Sequence, residues 1–166
     1  MTYSILDTTW GAFGFVVRGK RLVATFLPGR KADIKRAIRS QWPDAVETTN
    51  PLPGFRQQVL DYFAGKTRRF NVDIDLSEVP TFRQSVLRAC RRIPYGKTAS
   101  YMDLARAAGK PHAARAVGGA MANNPLPIVI PCHRVVRSDG SLGGFGSPNG
   151  IKDKQRLLHL ENAIPG

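Results

Sequence analysis

Residues 100–123 read SYMDLARAAGKPHAARAVGGAMAN, and this stretch predicts two short helices joined by a tight turn. Ser100 and Asp103 have the spacing of a capping box, which marks the start of the first helix. Gly109 should end that helix, and Pro111 fits the first turn of the second. Two short helices joined in this way indicate a helix-turn-helix.

The second helix of the pair carries two consecutive glycines, Gly118 and Gly119. Each costs roughly 0.8 to 1 kcal/mol of helix stability relative to alanine, so something should compensate. One explanation is tight packing against a neighbouring helix. The other is close approach of the backbone to a ligand or a DNA groove, with Arg115 the only long side chain on a smooth face.

A second informative stretch is Pro131-Cys132-His133-Arg134-Val135-Val136, which follows the apolar, strand-like run Leu126 to Ile130. A cysteine reacts as the thiolate, so a reactive one needs a nearby base or positive charge. Adjacent residues of an extended chain point to opposite faces, so Cys132 and His133 can act together only if the chain turns here. Pro131 favours such a turn. On these residues alone, a nucleophile and a buried, inert cysteine are equally good interpretations.

The chain has 166 residues, of which 42% are hydrophobic, and a formal net charge of +13. This length allows one domain or two small ones with a real core. The charge favours a polyanionic partner such as nucleic acid, with an acidic membrane surface as the competing interpretation. Neither a run of eighteen apolar residues nor a secretory signal is visible. We therefore expect an intracellular protein, cytoplasmic or nucleoid-associated, with no membrane partner.

The remaining pattern predicts an α/β chain. The predicted strands are residues 3–6, 13–17, 22–27 and 70–76, with a hairpin turn at 18–20. The predicted helices are residues 33–42, 55–64, 82–93, 100–108, 111–123 and 151–162. The pattern changes around 76–80, so we place an N-terminal sheet domain at residues 1–78 and a C-terminal domain at residues 79–166. Cys90 lies on a helical apolar stripe and is expected in the core.

Four segments closely resemble the O6-methylguanine-DNA methyltransferases in sequence, order and spacing. They are IPYGKTASY at 93–101, ARAVGGAM at 114–121, NNP at 123–125 and IPCHRV at 130–135. The strong resemblance covers about residues 81 to 162, while the first 80 residues fit the expected sheet domain less specifically. The resemblance implies an N-terminal ribonuclease-H-like sheet domain followed by a mostly helical, winged helix-turn-helix-like domain.

The resemblance also implies an activity. Such a protein transfers the alkyl group from O6-alkylguanine in DNA irreversibly to its own Cys132 in a single turnover, without a cofactor; O4-alkylthymine is an open second substrate. His133 is the base that deprotonates Cys132 through a water, Glu161 orients and polarises His133, and Asn124 braces the active-site turn. Without the resemblance, Glu161 is a surface glutamate near the C-terminus and Asn124 a helix-end residue before Pro125.

The implied partner is double-stranded DNA, bound by a monomer through the minor groove largely without sequence preference, with the damaged base flipped out. Arg115 then fills the gap in the base stack, and Tyr101 donates a hydrogen bond to the flipped purine, although an aromatic residue here is equally often plain core. The other DNA-binding positions carried over are Lys110, Ala114, Gly118 and Ser138. The pocket positions carried over are Met121, Pro127, Val135, Ser138, Phe145, Gly146 and Ser147.

The chain departs from many family members in one loop. Phe145 stands where tyrosine is common, and residues 146–150, GSPNG, are its own version of the loop. Loss of the hydroxyl removes one hydrogen bond, which leaves substrate range and inhibitor sensitivity open.

Two further features bear on metal binding and on transfer. Some members hold a zinc ion in the N-terminal domain, but here no cysteine precedes Cys90 and all three histidines lie in the second half, so no metal site is predicted. Related non-repairing proteins have tryptophan at the reactive position, whereas this chain retains Cys132.

Two other functions remain open from the residues themselves. A helix-turn-helix regulator in which Cys132 is structural would bind DNA sequence-specifically and have an unreactive thiol. A cysteine hydrolase using Cys132, His133 and Glu161 would turn over repeatedly without DNA. The charge of +13 counts against the hydrolase.

Overall fold

The computed structural model describes residues 1–147 and 149–163. The chain forms two compact units, Met1–Leu76 and Ser77–Gly166; the boundary drawn from the sequence lies at residues 78 and 79. The first unit is a four-stranded sheet with two helices and the second is mostly helical, so the predicted α/β class is confirmed. Within the described ranges, no helix is long and apolar enough to cross a membrane.

The first unit is built on a meander of three antiparallel strands. Its elements are β1 (Thr2–Thr8), β2 (Gly11–Arg18), β3 (Arg21–Gly29), α1 (Lys31–Gln41), β4 (Val46–Glu47) and α2 (Phe55–Phe63). The strand order is β3-β2-β1-β4, with β4 parallel to β1. β4 was not predicted, because two exposed residues carry no alternating apolar pattern.

Both faces of this sheet are covered. A Cβ atom on Gly14 would lie 2.5 Å from Ile34 Cγ2, so α1 packs directly on β2 at the position without a side chain. Next to Gly14 along β2, Phe13 and Phe15 have ring centroids 6.4 and 5.0 Å from that of Phe55 in α2. The core of the first unit therefore consists of α1 on one face and aromatic packing against α2 on the other.

The predicted strand at residues 70–76 is wrong. Only one bridge forms, in which Leu22 N donates to Asp73 O and Asp75 N donates to Leu22 O. Phe70 packs instead against the rings of Phe55 and Tyr62, at centroid distances of 5.9 and 5.2 Å. Phe70 thus contacts α2, and residues 70–76 do not extend the sheet as a strand.

The second unit carries the helix-turn-helix. Its elements are α3 (Thr81–Arg91), β5 (Ala99–Ser100), α4 (Tyr101–Ala107), α5 (Ala114–Ala122), β6 (Val135–Val136) and α6 (Ile151–Leu160). The predicted capping box is present, since the Ser100 hydroxyl accepts from Asp103 N and the Asp103 carboxylate accepts from Ser100 N. The short strands β5 and β6 pair in parallel next to it.

Two local predictions in this unit are wrong. The helix expected from Pro111 begins at Ala114, because residues 111–113 form a turn in which Ala113 N donates to Lys110 O. The apolar run at 126–130 is a turn rather than a strand. There Ile130 N donates to Leu126 O, and Ile128 adopts a φ of 67°. Apolar composition alone did not distinguish a buried strand from a buried turn.

Candidate active site

Cys132 and His133 lie in one turn of 3-10 helix, Cys132–Arg134, directly after Pro131. Arg134 N donates to Pro131 O at 2.9 Å, and the chain then enters β6. The turn predicted at this point is confirmed. Both side chains lie inside the unit, since Cys132 is 6% exposed and His133 0%.

His133 is hydrogen-bonded to Glu161, which follows the last residue of α6. The His133 Nε2 to Glu161 Oε2 distance is 2.8 Å, and both side chains are fully buried. The interpretation of Glu161 as a surface residue is therefore wrong. Glu161 N donates to Leu157 O, so the end of the helix fixes the backbone that carries this carboxylate.

The same carboxylate is held by Arg134. Arg134 Nε donates to Glu161 Oε1 at 2.7 Å and Nη2 donates to Oε2 at 3.0 Å, while Nη1 donates to Ile93 O at 2.6 Å. The guanidinium carbon lies 5.6 Å from the Tyr95 ring centroid. Sequence reasoning assigned Arg134 no role. The available signal was a charged residue inside a predicted buried motif, which requires a buried partner.

These contacts fix the charge states of the pair. Burial alone would raise the pKa of Glu161, but hydrogen bonds from His133 and Arg134 outweigh it and lower the pKa to about 2. Burial lowers the pKa of His133, although Glu161 acts in the opposite direction; the charges of Arg134 and Lys154 lower it further. The pair is thus a carboxylate and a neutral imidazole near neutral pH.

The carboxylate also determines the tautomer of His133. An ionised carboxylate only accepts hydrogen bonds, so Nε2 carries the proton and Nδ1 carries the lone pair. Nδ1 is buried and has no hydrogen-bond partner among the described residues. Nδ1 is therefore the imidazole atom that can accept a proton.

The thiol of Cys132 is protonated at rest. Burial raises its pKa, while a hydrogen bond from Asn124, the charge of Lys154 and the backbone amides of Cys132 and His133 act in the opposite direction without cancelling the effect. Asn124 also spans the preceding turn, because its Nδ2 donates to Ile130 O and its Oδ1 accepts from Leu126 N, each at 2.9 Å. Such a thiol needs a base in order to react.

Lys154 of α6 is a second buried cation, at 1% exposed. Its Nζ donates to Val135 O at 2.6 Å and to Leu142 O, and it lies 6.0 Å from the Tyr101 ring centroid. Burial lowers its pKa to about 8, although interaction with Cys132 acts in the opposite direction. Lys154 joins α6, β6 and the following loop around the thiol.

Tyr101 is the first residue of α4 and is half-buried. A Cβ atom on Gly143 would lie 2.8 Å from its hydroxyl oxygen, so the loop approaches closely where Gly143 adopts a φ of 72°. Burial raises the pKa of Tyr101, the charge of Arg137 lowers it, and Cys132 raises it. Tyr101 therefore belongs to the surroundings of the thiol.

The chain matches known proteins over most of its length. The family model of the 6-O-methylguanine DNA methyltransferase, DNA binding domain, matches residues 81–163. A methylated-DNA--protein-cysteine methyltransferase of Mycolicibacterium paratuberculosis is 46% identical over 74% of this chain and 71% of its own. The constitutive one of Bacillus subtilis is 38% identical over 96% of this chain and 94% of its own. The chain belongs to this methyltransferase family.

A solved structure supports the same assignment. The structure of Mycobacterium tuberculosis OGT in complex with DNA has a TM-score of 0.84 and 34% identity to this chain, and the match covers 98% of this chain and 94% of that one. Both units therefore share the fold of a protein that has been solved in complex with DNA.

The positions carried over from the methyltransferase resemblance divide into buried and exposed ones. Met121 and Val135 are buried, Pro127 and Phe145 are half-buried, and Gly146 is exposed. Ser147 Oγ donates to Asp153 Oδ2 at 2.6 Å, which ties the loop to the first turn of α6. Pro148 of this loop lies outside the described residues, and Ser138 is exposed in the turn after β6.

The second helix of the methyltransferase helix-turn-helix has an open face. A Cβ atom on Gly118 or on Gly119 would meet no atom within 4 Å, so tight packing does not explain these glycines. Arg115 and Lys110 are exposed, and Ala114 is half-buried. These residues lie on the surface of the unit, whereas Cys132, His133 and Glu161 lie inside it.

Within the described part of the chain, no group of three or more His, Cys, Asp or Glu residues could hold a metal ion.

The depressed pKa of Glu161 predicts a pH-dependent contribution to stability. Because the folded pKa of about 2 is below the ordinary 4.5, the contribution is present above pH 4.5 and is lost as the pH falls toward 2. The free energy of unfolding in urea should be higher for the wild type than for Glu161→Gln above pH 4.5. This difference should shrink by about 3 kcal/mol as the pH falls toward 2. The control Asp44→Asn changes an exposed carboxylate in the turn after α1 and should show a small and nearly constant difference. A constant Glu161→Gln difference would contradict the assignment.

Proposed function

We propose that this protein repairs DNA by transferring the alkyl group of O6-alkylguanine in double-stranded DNA to Cys132, once per molecule. The observation that carries this proposal is the buried arrangement of a protonated thiol in the same turn as a neutral histidine, whose Nε2 is hydrogen-bonded to a carboxylate. The family membership supports the same chemistry.

In the proposed reaction, His133 Nδ1 accepts the thiol proton, through a water as the family resemblance implies. The Cys132 thiolate attacks the alkyl carbon in line, the S–C bond forms, and the C–O bond breaks with its electron pair leaving on the purine oxygen. Tyr101 donates a hydrogen bond to the departing purine. Glu161 stabilises the imidazolium that forms. No step breaks the new thioether, so the protein is consumed.

Binding of the duplex is assigned to α5 and the turn before it. Arg115 projects from a helix surface with open space at two glycines, which allows a nucleic-acid backbone to approach closely. We infer that this surface enters the minor groove, that Arg115 replaces the flipped base, and that Lys110, Ala114, Gly118 and Ser138 lie along the strand. The net charge of +13 supplies attraction that does not depend on sequence.

In this proposal, the C-terminal domain, residues 79–166, holds the nucleophile, its base and the DNA-binding helices. Met121, Pro127, Val135, Phe145, Gly146 and Ser147 form the alkyl and purine pocket. The protein acts inside the cell, in the cytoplasm or on the nucleoid, as a monomer without a cofactor.

The first test is the intact mass of the protein after incubation with a duplex containing one O6-methylguanine. We expect a single gain of about 14 Da, mapped to Cys132, and no turnover. Cys132→Ala should bind the duplex without gaining mass, whereas the control Cys90→Ala should still gain it. An unchanged mass with an intact lesion would favour the regulator, and an unchanged mass with a repaired lesion would require a true catalyst.

Arg115→Ala should slow repair of duplex DNA by about 100-fold, because the flipped state loses the side chain that fills its gap. Reaction with free O6-benzylguanine should change far less, since no base needs to be flipped. Single-turnover rates on both substrates measure this difference. Arg39→Ala removes one exposed positive charge from α1 and is the matched control. Equal losses on the two substrates would contradict the role of Arg115.

Gly118→Leu tests the open face of α5. Because a Cβ atom at this position meets no protein atom within 4 Å, thermal or urea unfolding should show an increase in stability of about 0.8 kcal/mol from helix propensity. Affinity for duplex DNA should fall, since the same side chain occupies space needed by the groove. The control Ala37→Leu adds a larger side chain to an exposed position of α1. A loss of stability with unchanged DNA affinity would restore the packing explanation.

A further inference from the structure

Arg134 has more contacts than a residue that only fills the core requires. Two of its nitrogens donate to the two oxygens of Glu161, and the third donates to Ile93 O, the carbonyl two residues beyond the end of α3. The guanidinium also lies over Tyr95, whose hydroxyl donates to Leu160 O at 3.3 Å. The planar group is thus held from both sides, by the segment after α3 and by the end of α6.

We propose that Arg134 is a positioning residue of the alkyl transfer, which fixes Glu161 as an oriented carboxylate so that His133 Nε2 donates to it and Nδ1 remains the base atom. This inference rests on the proposed function. Arg134 touches neither the substrate nor the reacting sulfur in this scheme, and acts only through Glu161 and His133.

The geometry explains why arginine is needed. Glu161 Oε2 accepts both from Arg134 Nη2 at 3.0 Å and from His133 Nε2 at 2.8 Å, while Oε1 accepts from Arg134 Nε at 2.7 Å. A two-pronged donor prevents the carboxylate from rotating, and its charge favours the ionised form. A lysine ammonium at this position would be a single point donor that cannot span both oxygens and the Ile93 carbonyl.

The charges facing His133 give the proposal a pH signature. They are Glu161 at the end of α6, Arg134 in the same turn and Lys154 in α6. The adjacent Cys132 is a neutral thiol, and Cys90 of α3 faces it. Glu161 raises the pKa of His133, whereas Arg134 and Lys154 lower it. Removal of Arg134 should therefore leave His133 protonated to higher pH, and a protonated imidazole cannot accept the thiol proton.

The test is the rate of reaction with O6-benzylguanine as a function of pH. The rate is divided by the concentration of folded protein, so that loss of folding is not counted as loss of activity. Arg134→Met should lower the plateau rate by about 100-fold and move the acidic limb of the profile to higher pH. Arg134→Lys should keep the limb near its wild-type position but react about tenfold more slowly than the wild type. The control Arg92→Met changes an exposed arginine at the end of α3 and should have a wild-type profile.

A spectroscopic measurement keeps the test decisive if Arg134→Met does not fold. In protein labelled with 15N-histidine, His133 should be neutral with the proton on Nε2, and His133→Asn assigns its signals. A proton on Nδ1 in the wild type, or a full rate in Arg134→Lys, would overturn the positioning role. A wild type that fails to react with O6-benzylguanine would instead count against the proposed function, while the His133 tautomer of the wild type compared with that of Arg134→Lys would still decide this inference.

Discussion

The second unit depends on one buried carboxylate, that of Glu161. A carboxylate taken out of water is costly unless it is paired and hydrogen-bonded. Here Arg134 and His133 both supply donors to Glu161, and the Arg134 guanidinium also donates to Ile93 O. The charge is thereby connected to the chain after α3, to the Cys132–Arg134 turn and to the end of α6. The stability of this unit and the protonation of its candidate base have the same origin.

Burial also keeps the nucleophile in its protonated, unreactive form at rest. The Cys132 thiol is protonated at rest because desolvation raises its pKa more than Asn124, Lys154 and the backbone amides lower it. A protonated thiol is a poor nucleophile toward alkylating agents dissolved in the surrounding water. In the proposed reaction, it becomes reactive only when its proton reaches His133, with a substrate carbon already in position. Because the protein is consumed by one reaction, this arrangement reduces the number of molecules that are inactivated by electrophiles other than the DNA lesion.

The sequence predicted those elements whose signals are local. The Ser100 and Asp103 capping box, the three long strands and the turn after Pro131 each follow from residue types within a few positions. Elements defined by distant partners were missed or misassigned. Residues 70–76 form a single bridge instead of a strand, and Phe70 packs on α2. The contacts of Arg134 appear only when Glu161, 27 positions later, comes within 2.7 Å. Resemblance named Cys132, His133 and Glu161, but it did not supply the arginine that joins them.

The glycines of α5 show how a local cost can identify a functional surface. Gly118 and Gly119 together reduce helix stability by about 2 kcal/mol relative to alanine. A packing explanation requires atoms where the missing Cβ groups would be, and there are none within 4 Å. A conformational explanation requires a positive φ, and neither residue has one. The remaining explanation is that the glycines keep space free on the surface of this helix, which carries Arg115 and precedes Asn124. A surface kept free of side chains at a cost in stability is what close approach of a DNA backbone requires.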